Sequence, residues 1–141
     1  MTKITTKLLL RIASGIMLLH AIGHTMAIFT WQKPNGKIPA DVIHKMQESH
    51  FFFGGEDATM AGFFSGHGYT GTIFLLLIVS ILWAISGWTE KRATKILWLA
   101  GLSILALASV ELIYFFPLAV ILSLFAGLLV FLSIFKLNKT K

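Results

Sequence analysis

Three ionisable side chains stand well inside long apolar runs of this chain, at positions where they could do chemistry. They are His20, His24 and Glu111, and His67 stands at the edge of another apolar run. An ionisable group within a membrane-spanning stretch costs several kcal/mol unless it is paired, and so it is a candidate functional group by default. The polar residues that could form a site in this chain are therefore few and easily named.

The spacing of these residues predicts that they meet. His20 and His24 are four residues apart, which places both on one face of a helix. At about 1.5 Å of rise per residue, His20 and Glu111 come out at similar heights, roughly 20 Å from the starts of their respective runs. We expect His20, His24, Glu111 and His67 to line one polar pocket in the outer half of a helical bundle.

Several kinds of chemistry are compatible with that residue set. His20, His24, Glu111 and His67 would supply nitrogen and oxygen ligands suited to zinc or another divalent metal ion. Haem is a further candidate cofactor, but His20 and His24 project from the same side of one helix, so His67 would have to provide the opposed ligand. Alternatively, Glu111 and His20 could exchange a proton as the acid and base of a membrane enzyme with an apolar substrate. In the simplest interpretation the two satisfy each other across helices and fix the packing.

We favour non-catalytic binding of a small ligand, lipid or metal ion in the pocket. The alternatives are a membrane-embedded enzyme that uses Glu111 and His20, and a structural or interaction subunit without a ligand. The lipid bilayer is the expected partner, together with a second copy of the chain or a larger membrane complex. The absence of cysteine excludes disulfides, thiolate metal sites and cysteine nucleophiles.

The composition points to a single membrane domain. Of the 141 residues 56% are hydrophobic and only 13% charged, and the mean hydropathy is +0.80. Soluble domains carry about 25% charged residues. The formal net charge is +6, but the basic residues lie between apolar runs and form no stripe, so nucleic acid is not an expected partner.

Four apolar runs are long enough to cross a bilayer, which needs about 20 residues. They cover residues 8–31, 67–88, 97–116 and 117–135, and they leave one long loop, residues 32–66. A helical extension of the second span outward over residues 58–64 is the alternative to a start near residue 67. Pro117 is suited to the first position of the fourth helix. We interpret the first run as a retained span and not as a cleavable signal peptide, because it is long and contains two histidines. The predicted fold is all-α, an antiparallel four-helix transmembrane bundle.

The distribution of positive charge predicts the orientation. Nine of the twelve lysines and arginines lie before or at the start of the first span, between the second and third spans, or after the fourth. Four spans place these three segments on the same side, and an excess of Lys and Arg marks the cytoplasmic side. Both termini are therefore expected in the cytoplasm and residues 32–66 outside it.

The outer loop and the span surfaces carry further signals. Residues 38–48 predict a short interfacial helix whose apolar face carries Ile38, Val42, Ile43 and Met46. Gly54 and Gly55 predict a turn, and Glu56 and Asp57 after them suit a helix start. Four aromatic residues are expected to anchor the spans at the membrane interface: Trp31, Tyr69, Trp83 and Trp88.

Two stripes of mainly small residues predict close helix packing. On the third span the stripe consists of Gly101, Ile104 and Ala108 and leads to Glu111. On the fourth span it consists of Ala119, Ser123 and Gly127. We expect both stripes to face the interior of the bundle.

Short motifs resemble those of small four-span bacterial membrane proteins. The motifs are Arg11-Ile12-Ala13-Ser14-Gly15, His20-Ala21-Ile22-Gly23-His24-Thr25 and Phe64-Ser65-Gly66-His67-Gly68. The resemblance implies a fold of four helices and a location in the bacterial inner membrane. It implies no particular reaction.

Overall fold

The computed structural model describes residues 5–33, 38–88 and 91–139, and this part of the chain is mostly helical. Its elements in chain order are α1 (Thr6–Thr30), α2 (Ala40–Glu48), β1 (His50–Phe53), β2 (Glu56–Thr59), α3 (Met60–Ile85), α4 (Lys91–Tyr114) and α5 (Pro117–Lys139). Helices α1, α3 and α5, and residues Ala93–Tyr114 of α4, are each long and apolar enough to cross a membrane. The four predicted spans are thus found as four helices, as expected of a multi-pass membrane protein.

Helix α3 begins at Met60, seven residues before His67, so the alternative of a helical extension within residues 58–64 is confirmed from residue 60 onward. The Thr59 hydroxyl accepts a hydrogen bond of 3.0 Å from the Gly62 amide. A threonine in this position caps a helix by satisfying one of its free amides. Glu56 and Asp57 lie in β2, so the prediction that they begin a helix is wrong. Pro117 does begin α5.

The chain divides into two compact units, whose boundaries fall within α1 and α3. The first comprises residues 1–20 and 75–141. In it α4 and α5 pack against each other, joined only by Phe115 and Phe116. Helix α1 contacts α3 where the Ser14 hydroxyl donates a hydrogen bond of 3.0 Å to the Val79 carbonyl.

Glycines permit the close approach of α4 and α5. A Cβ atom on Gly101 would stand 3.0 Å from the ring of Phe131, and one on Gly127 would stand 3.4 Å from the side chain of Ile104. Residue 101 therefore lies beside residue 131, and residue 104 beside residue 127. The numbers rise along α4 as they fall along α5, so the two helices form an antiparallel hairpin. Both predicted stripes are buried, as expected: they comprise Gly101, Ile104, Ala108 and Glu111 on α4, and Ala119, Ser123 and Gly127 on α5.

The second unit comprises residues 21–74. Here the last part of α1 packs against the first part of α3, with the hydroxyls of Thr25 and Thr72 3.2 Å apart. Gly68 lies directly beneath the side chain of Ile28, which occupies the space that a Cβ atom would need. The two segments approach closely because α3 has no side chain at this point.

Strands β1 and β2 form an antiparallel hairpin that the sequence pattern did not predict. The turn is at Gly54 and Gly55, as expected, and both have positive φ angles, 63° and 94°. Glycine adopts this conformation readily, and it suits the tight turns that join two antiparallel strands. The strands were missed because Phe51, Phe52 and Phe53 form a short apolar run without alternation.

Helix α2 forms where it was predicted and buries Ile43 against Trp31 and Ala61, with Ile38 and Met46 packed beside them. The indole N–H of Trp31 donates a hydrogen bond of 3.3 Å to the Ser65 hydroxyl. The prediction that Trp31 is an interfacial anchor is therefore wrong, since its ring fills the core of the second unit. The other predicted anchors, Tyr69, Trp83 and Trp88, are exposed.

Candidate functional site

In the first unit, two side chains that the sequence places at similar heights, His20 and Glu111, form a buried contact. His20 on α1 and Glu111 on α4 approach to 3.3 Å between Nε2 and Oε1. Only 7% of His20 and 3% of Glu111 is exposed. The structure therefore brings together two of the four residues expected to share a pocket, His20 and Glu111.

A third polar side chain, Ser123 on α5, completes the cluster. Its hydroxyl oxygen lies 3.3 Å from Nδ1 of His20, and the residue is 0% exposed. The buried triad (Ser123, His20 and Glu111) thus joins three helices through both nitrogens of one ring. Sequence reasoning treated Ser123 only as a small packing residue, although its hydroxyl among small neighbours was the available signal.

The α4–α5 hairpin sets the position of the buried triad along the helices. Glu111 comes three residues before the end of α4, and Ser123 six residues after the start of α5. At about 1.5 Å per residue both lie roughly 5–9 Å from the connection between these helices. The short connection at Phe115 and Phe116 therefore holds the carboxyl and the hydroxyl at neighbouring levels.

One atom of the buried triad lacks a partner. Oε2 of Glu111 is buried and has no hydrogen-bond partner among the residues that the structure describes. A buried polar atom without a partner costs about 1–3 kcal/mol. The Ser123 hydroxyl also interacts with the carboxyl group of Glu111, so Ser123 interacts with both other members of the cluster.

His24 lies in the second unit and has neighbours of its own. Its Nε2 is 3.0 Å from the carbonyl oxygen of Gly68. A carbonyl can only accept, so this nitrogen carries a hydrogen and donates it. A Cβ atom on Gly71 would come within 2.9 Å of the same nitrogen, so α3 also leaves room for this ring.

His67 is an exposed residue on α3, and its Nδ1 donates to the Phe63 carbonyl one turn earlier, at 3.1 Å. Its ring also lies against that of Phe63, with the centroids 4.2 Å apart. Phe63 in turn contacts Phe51 and Phe53 of the hairpin. These contacts place His67 in an aromatic cluster.

Within residues 5–33, 38–88 and 91–139, no group of three or more His, Cys, Asp or Glu side chains is arranged to hold a metal ion. The structure brings Glu111 together with His20, while His24 and His67 each bond to a backbone carbonyl. The metal and haem hypotheses stay predictions of the sequence.

The two histidines between α1 and α3 pair with acids at the surface. His44 lies 2.9 Å from Glu48, and His50 lies 2.9 Å from Asp57, with more than half of each side chain exposed. Surface pairs of this kind contribute about 0–1 kcal/mol. Both histidines are therefore exposed to solvent.

Comparisons with protein-family models, curated proteins and solved structures find no match for this chain. The case for a function therefore rests on the residues and geometry described above.

Proposed function

We propose that this chain is a small multi-pass membrane protein that binds a small ligand or lipid at the buried triad. The observation that supports this is the buried Oε2 of Glu111, which has no donor among the described residues. A purely structural carboxyl would be expected to have both oxygens satisfied, because each unsatisfied atom lowers the stability of the fold. A ligand with a hydrogen-bond donor would remove that penalty, and the site would thereby favour binding.

The proposed setting is an antiparallel four-helix bundle in a bacterial inner membrane with both termini in the cytoplasm. It is supported by the four candidate spans and by the excess of basic residues near the termini and at the start of α4. Lipid is the expected partner of the large exposed apolar side chains on the spans, such as Ile113 and Leu124. In this orientation the α4–α5 connection and the buried triad lie toward the outer side.

The proposed orientation can be tested directly because the natural chain has no cysteine. Gln47→Cys on α2 and Lys139→Cys at the end of α5 each create one thiol. In intact cells a membrane-impermeant maleimide should label the first variant only. Labelling of Lys139→Cys without membrane disruption would contradict the orientation.

Ligand binding is tested by identifying small molecules that co-purify with the protein. The wild type is compared with Glu111→Gln and with Ser133→Ala by native mass spectrometry and analysis of the extracted lipids. Ser133 is the matched control, because it lies on α5 and is fully buried like Ser123. Among the described residues its hydroxyl bonds within its own helix, at the Leu129 carbonyl. We expect a bound species in the wild type and in Ser133→Ala that is lost in Glu111→Gln. The same species in all three would refute binding at Glu111.

An enzyme is the second candidate function, and the residue types of the buried triad favour it. The imidazole of His20 lies between a hydroxyl and a carboxyl group, as in serine hydrolases, but with the roles of the two ring nitrogens exchanged. In this proposal His20 and Glu111 act as base and acid on an apolar substrate. A fluorophosphonate probe should then label Ser123 in the wild type and fail to label it in His20→Ala. Absence of labelling in the wild type would remove the hydrolase form of this proposal.

A further inference from the structure

We propose that Arg11 and Trp83 form a binding site for the phosphate group of an anionic phospholipid, at the end of the first unit where α1 begins and α3 ends. The site is separate from the buried triad, so the inference does not depend on the proposed function. It follows from the position of the Arg11 guanidinium, from its contact with an aromatic ring and from the charges at this end of the unit.

Arg11 lies within the first apolar span, close to the residue at which the helix starts. It is five residues after Thr6, the first residue of α1, which places it roughly 7–8 Å along the helix axis. Trp83 is two residues before the last residue of α3. The hydrogen bond between Ser14 and Val79 makes a further contact between the same two helices. Residue numbers therefore rise along α1 as they fall along α3, and Arg11 and Trp83 lie together near one end of both helices.

The guanidinium of Arg11 lies over the indole ring of Trp83, with 4.7 Å between its central carbon and the ring centroid. Cations within about 6 Å of a ring centroid are attracted to the face of the ring. Both side chains are exposed, so the pair lies on the outer surface of the span and not in the core of the unit. An arginine placed over a ring uses one face of its guanidinium, and the N–H donors in the guanidinium plane stay available for a further partner.

The described part of the first unit offers Arg11 no carboxylate at this end. Glu111 is the acidic residue that the structure describes in this unit, and it is buried close to the opposite end of α4. A cation on the surface of a membrane span is strongly unfavourable unless an anion pairs with it. Near the end of a span, the anions within reach of an arginine stem are the phosphate groups of the lipid headgroups.

Further basic side chains at the same end favour a lipid with net negative charge. Lys7 is exposed one turn before Arg11 on the same face of α1. Lys95 is exposed one turn after the start of α4, which begins six residues after α3 ends. Lys139 ends α5, which is antiparallel to α4. Because lysines and arginines near a membrane surface attract anionic lipids, this end of the unit complements an anionic headgroup better than a zwitterionic one.

The surface next to Arg11 and Trp83 also suits acyl chains, which distinguishes a phospholipid from a free phosphate ion. Leu18 lies two turns from Arg11 along the same face of α1, and Leu76 lies two turns from Trp83 along the same face of α3. Both leucines are exposed, by 41% and 43%. Gly15, between Arg11 and Leu18, has open space where a side chain would start. An acyl chain could lie there while its phosphate contacts the guanidinium.

The test compares the binding of two lipids with identical oleoyl chains to the full-length protein, by native mass spectrometry in detergent. Phosphatidylglycerol is anionic, whereas phosphatidylcholine carries the same phosphate in a zwitterionic headgroup. Arg11→Gln is compared with Lys139→Gln, since each removes one positive charge from the same end of the unit. Trp83→Leu is compared with Trp88→Leu, because the two rings are similarly exposed, by 56% and 48%, and the described guanidinium contact is with Trp83.

We expect the wild type to bind phosphatidylglycerol at least about tenfold more tightly than phosphatidylcholine. Arg11→Gln should weaken phosphatidylglycerol binding by at least about fivefold, which corresponds to about 1 kcal/mol. Lys139→Gln should have at most about a twofold effect, because attraction over a longer distance is screened by salt.

Two further variants separate the site from its charge. Trp83→Leu removes no charge but should weaken phosphatidylglycerol binding by about two- to threefold, because the guanidinium loses the ring that holds it. Trp88→Leu should leave binding unchanged. Arg11→Lys keeps the charge and should still weaken binding by about two- to threefold, since an ammonium group cannot donate two parallel hydrogen bonds to a phosphate.

Four results would overturn the inference. Equal affinity of the wild type for both lipids would show that no anionic headgroup is recognised. Equal losses in Arg11→Gln and Lys139→Gln would show a diffuse attraction to the basic end without a site. Complete competition by inorganic phosphate would show that the acyl chains contribute nothing. Glu90 lies outside the described residues, and an Arg11-dependent gain in phosphatidylglycerol binding in Glu90→Gln would show that this acid, and not a lipid, is the partner of Arg11 in the wild type.

Discussion

Replacing His20 with leucine would leave the Glu111 carboxyl in the interior without its imidazole partner. The two side chains are exposed by only 8% and 4%, so solvent does little to weaken their interaction. Removing one partner of a buried ion pair destabilises a protein by about 3–5 kcal/mol. We expect the destabilisation by His20→Leu to lie near the lower end of this range, because the remaining carboxyl can take up a proton and become neutral.

Removing both partners should be far less harmful than the sum of the single changes. Glu111→Leu leaves His20 as a neutral imidazole that retains its contact with Ser123. This variant should lower the free energy of unfolding by about 1–2 kcal/mol. A buried pair replaced by apolar residues of similar volume is often neutral or stabilising. The double variant should therefore cost no more than about 1 kcal/mol relative to the wild type, which corresponds to a coupling of about 3–5 kcal/mol between the two positions.

The assay is a double-mutant cycle measured by unfolding in mixed micelles with increasing dodecyl sulfate, followed through tryptophan fluorescence. His20→Leu combined with Ser133→Ala is the control cycle and should be additive within about 0.5 kcal/mol, since these residues share no described contact. Interhelical hydrogen bonds in membrane proteins average about 0.6 kcal/mol. A coupling of that size or less between His20 and Glu111 would refute the reasoning, because the pair would then be an ordinary polar contact.

Further predictions concern packing and turns, each with a matched control. Gly68→Ala should lower the free energy of unfolding by about 1–3 kcal/mol, because the added methyl group would collide with Ile28. Gly66→Ala on the same helix has open space and should be neutral or slightly stabilising. Thermal unfolding in detergent compares the two variants. Ile43→Ala should make the segment between α1 and α3 several-fold more sensitive to limited proteolysis, whereas the more exposed Val42→Ala should have little effect. Gly54→Ala should cost about 1–2 kcal/mol in local hairpin stability, measured by hydrogen exchange of β1 and β2; unchanged exchange would contradict the positive-φ turn.

The predictions that succeeded rest on strong, local physical constraints. Burying a helix in lipid requires a long apolar stretch, so four spans could be recognised from composition alone. Small residues repeated every three or four positions identified the buried faces of α4 and α5, because only side chains of that size allow two helices to approach closely. Helix α2 followed from its apolar spacing and its turn-forming flank.

The tertiary structure decided what depends on partners distant in the chain. Whether Phe51–Phe53 form a strand depends on pairing with residues 56–59, and whether Trp31 is buried depends on Ile43 and Ala61 packing around it. The heights calculated from the sequence placed His20 and Glu111 at one level. They did not show that Ser123 lies beside the other ring nitrogen of His20, or that Oε2 of Glu111 has no hydrogen-bond partner among the described residues. Hydrogen bonding extends only about 3 Å, so the identity of each partner is fixed only when the helices have taken their final rotation and register.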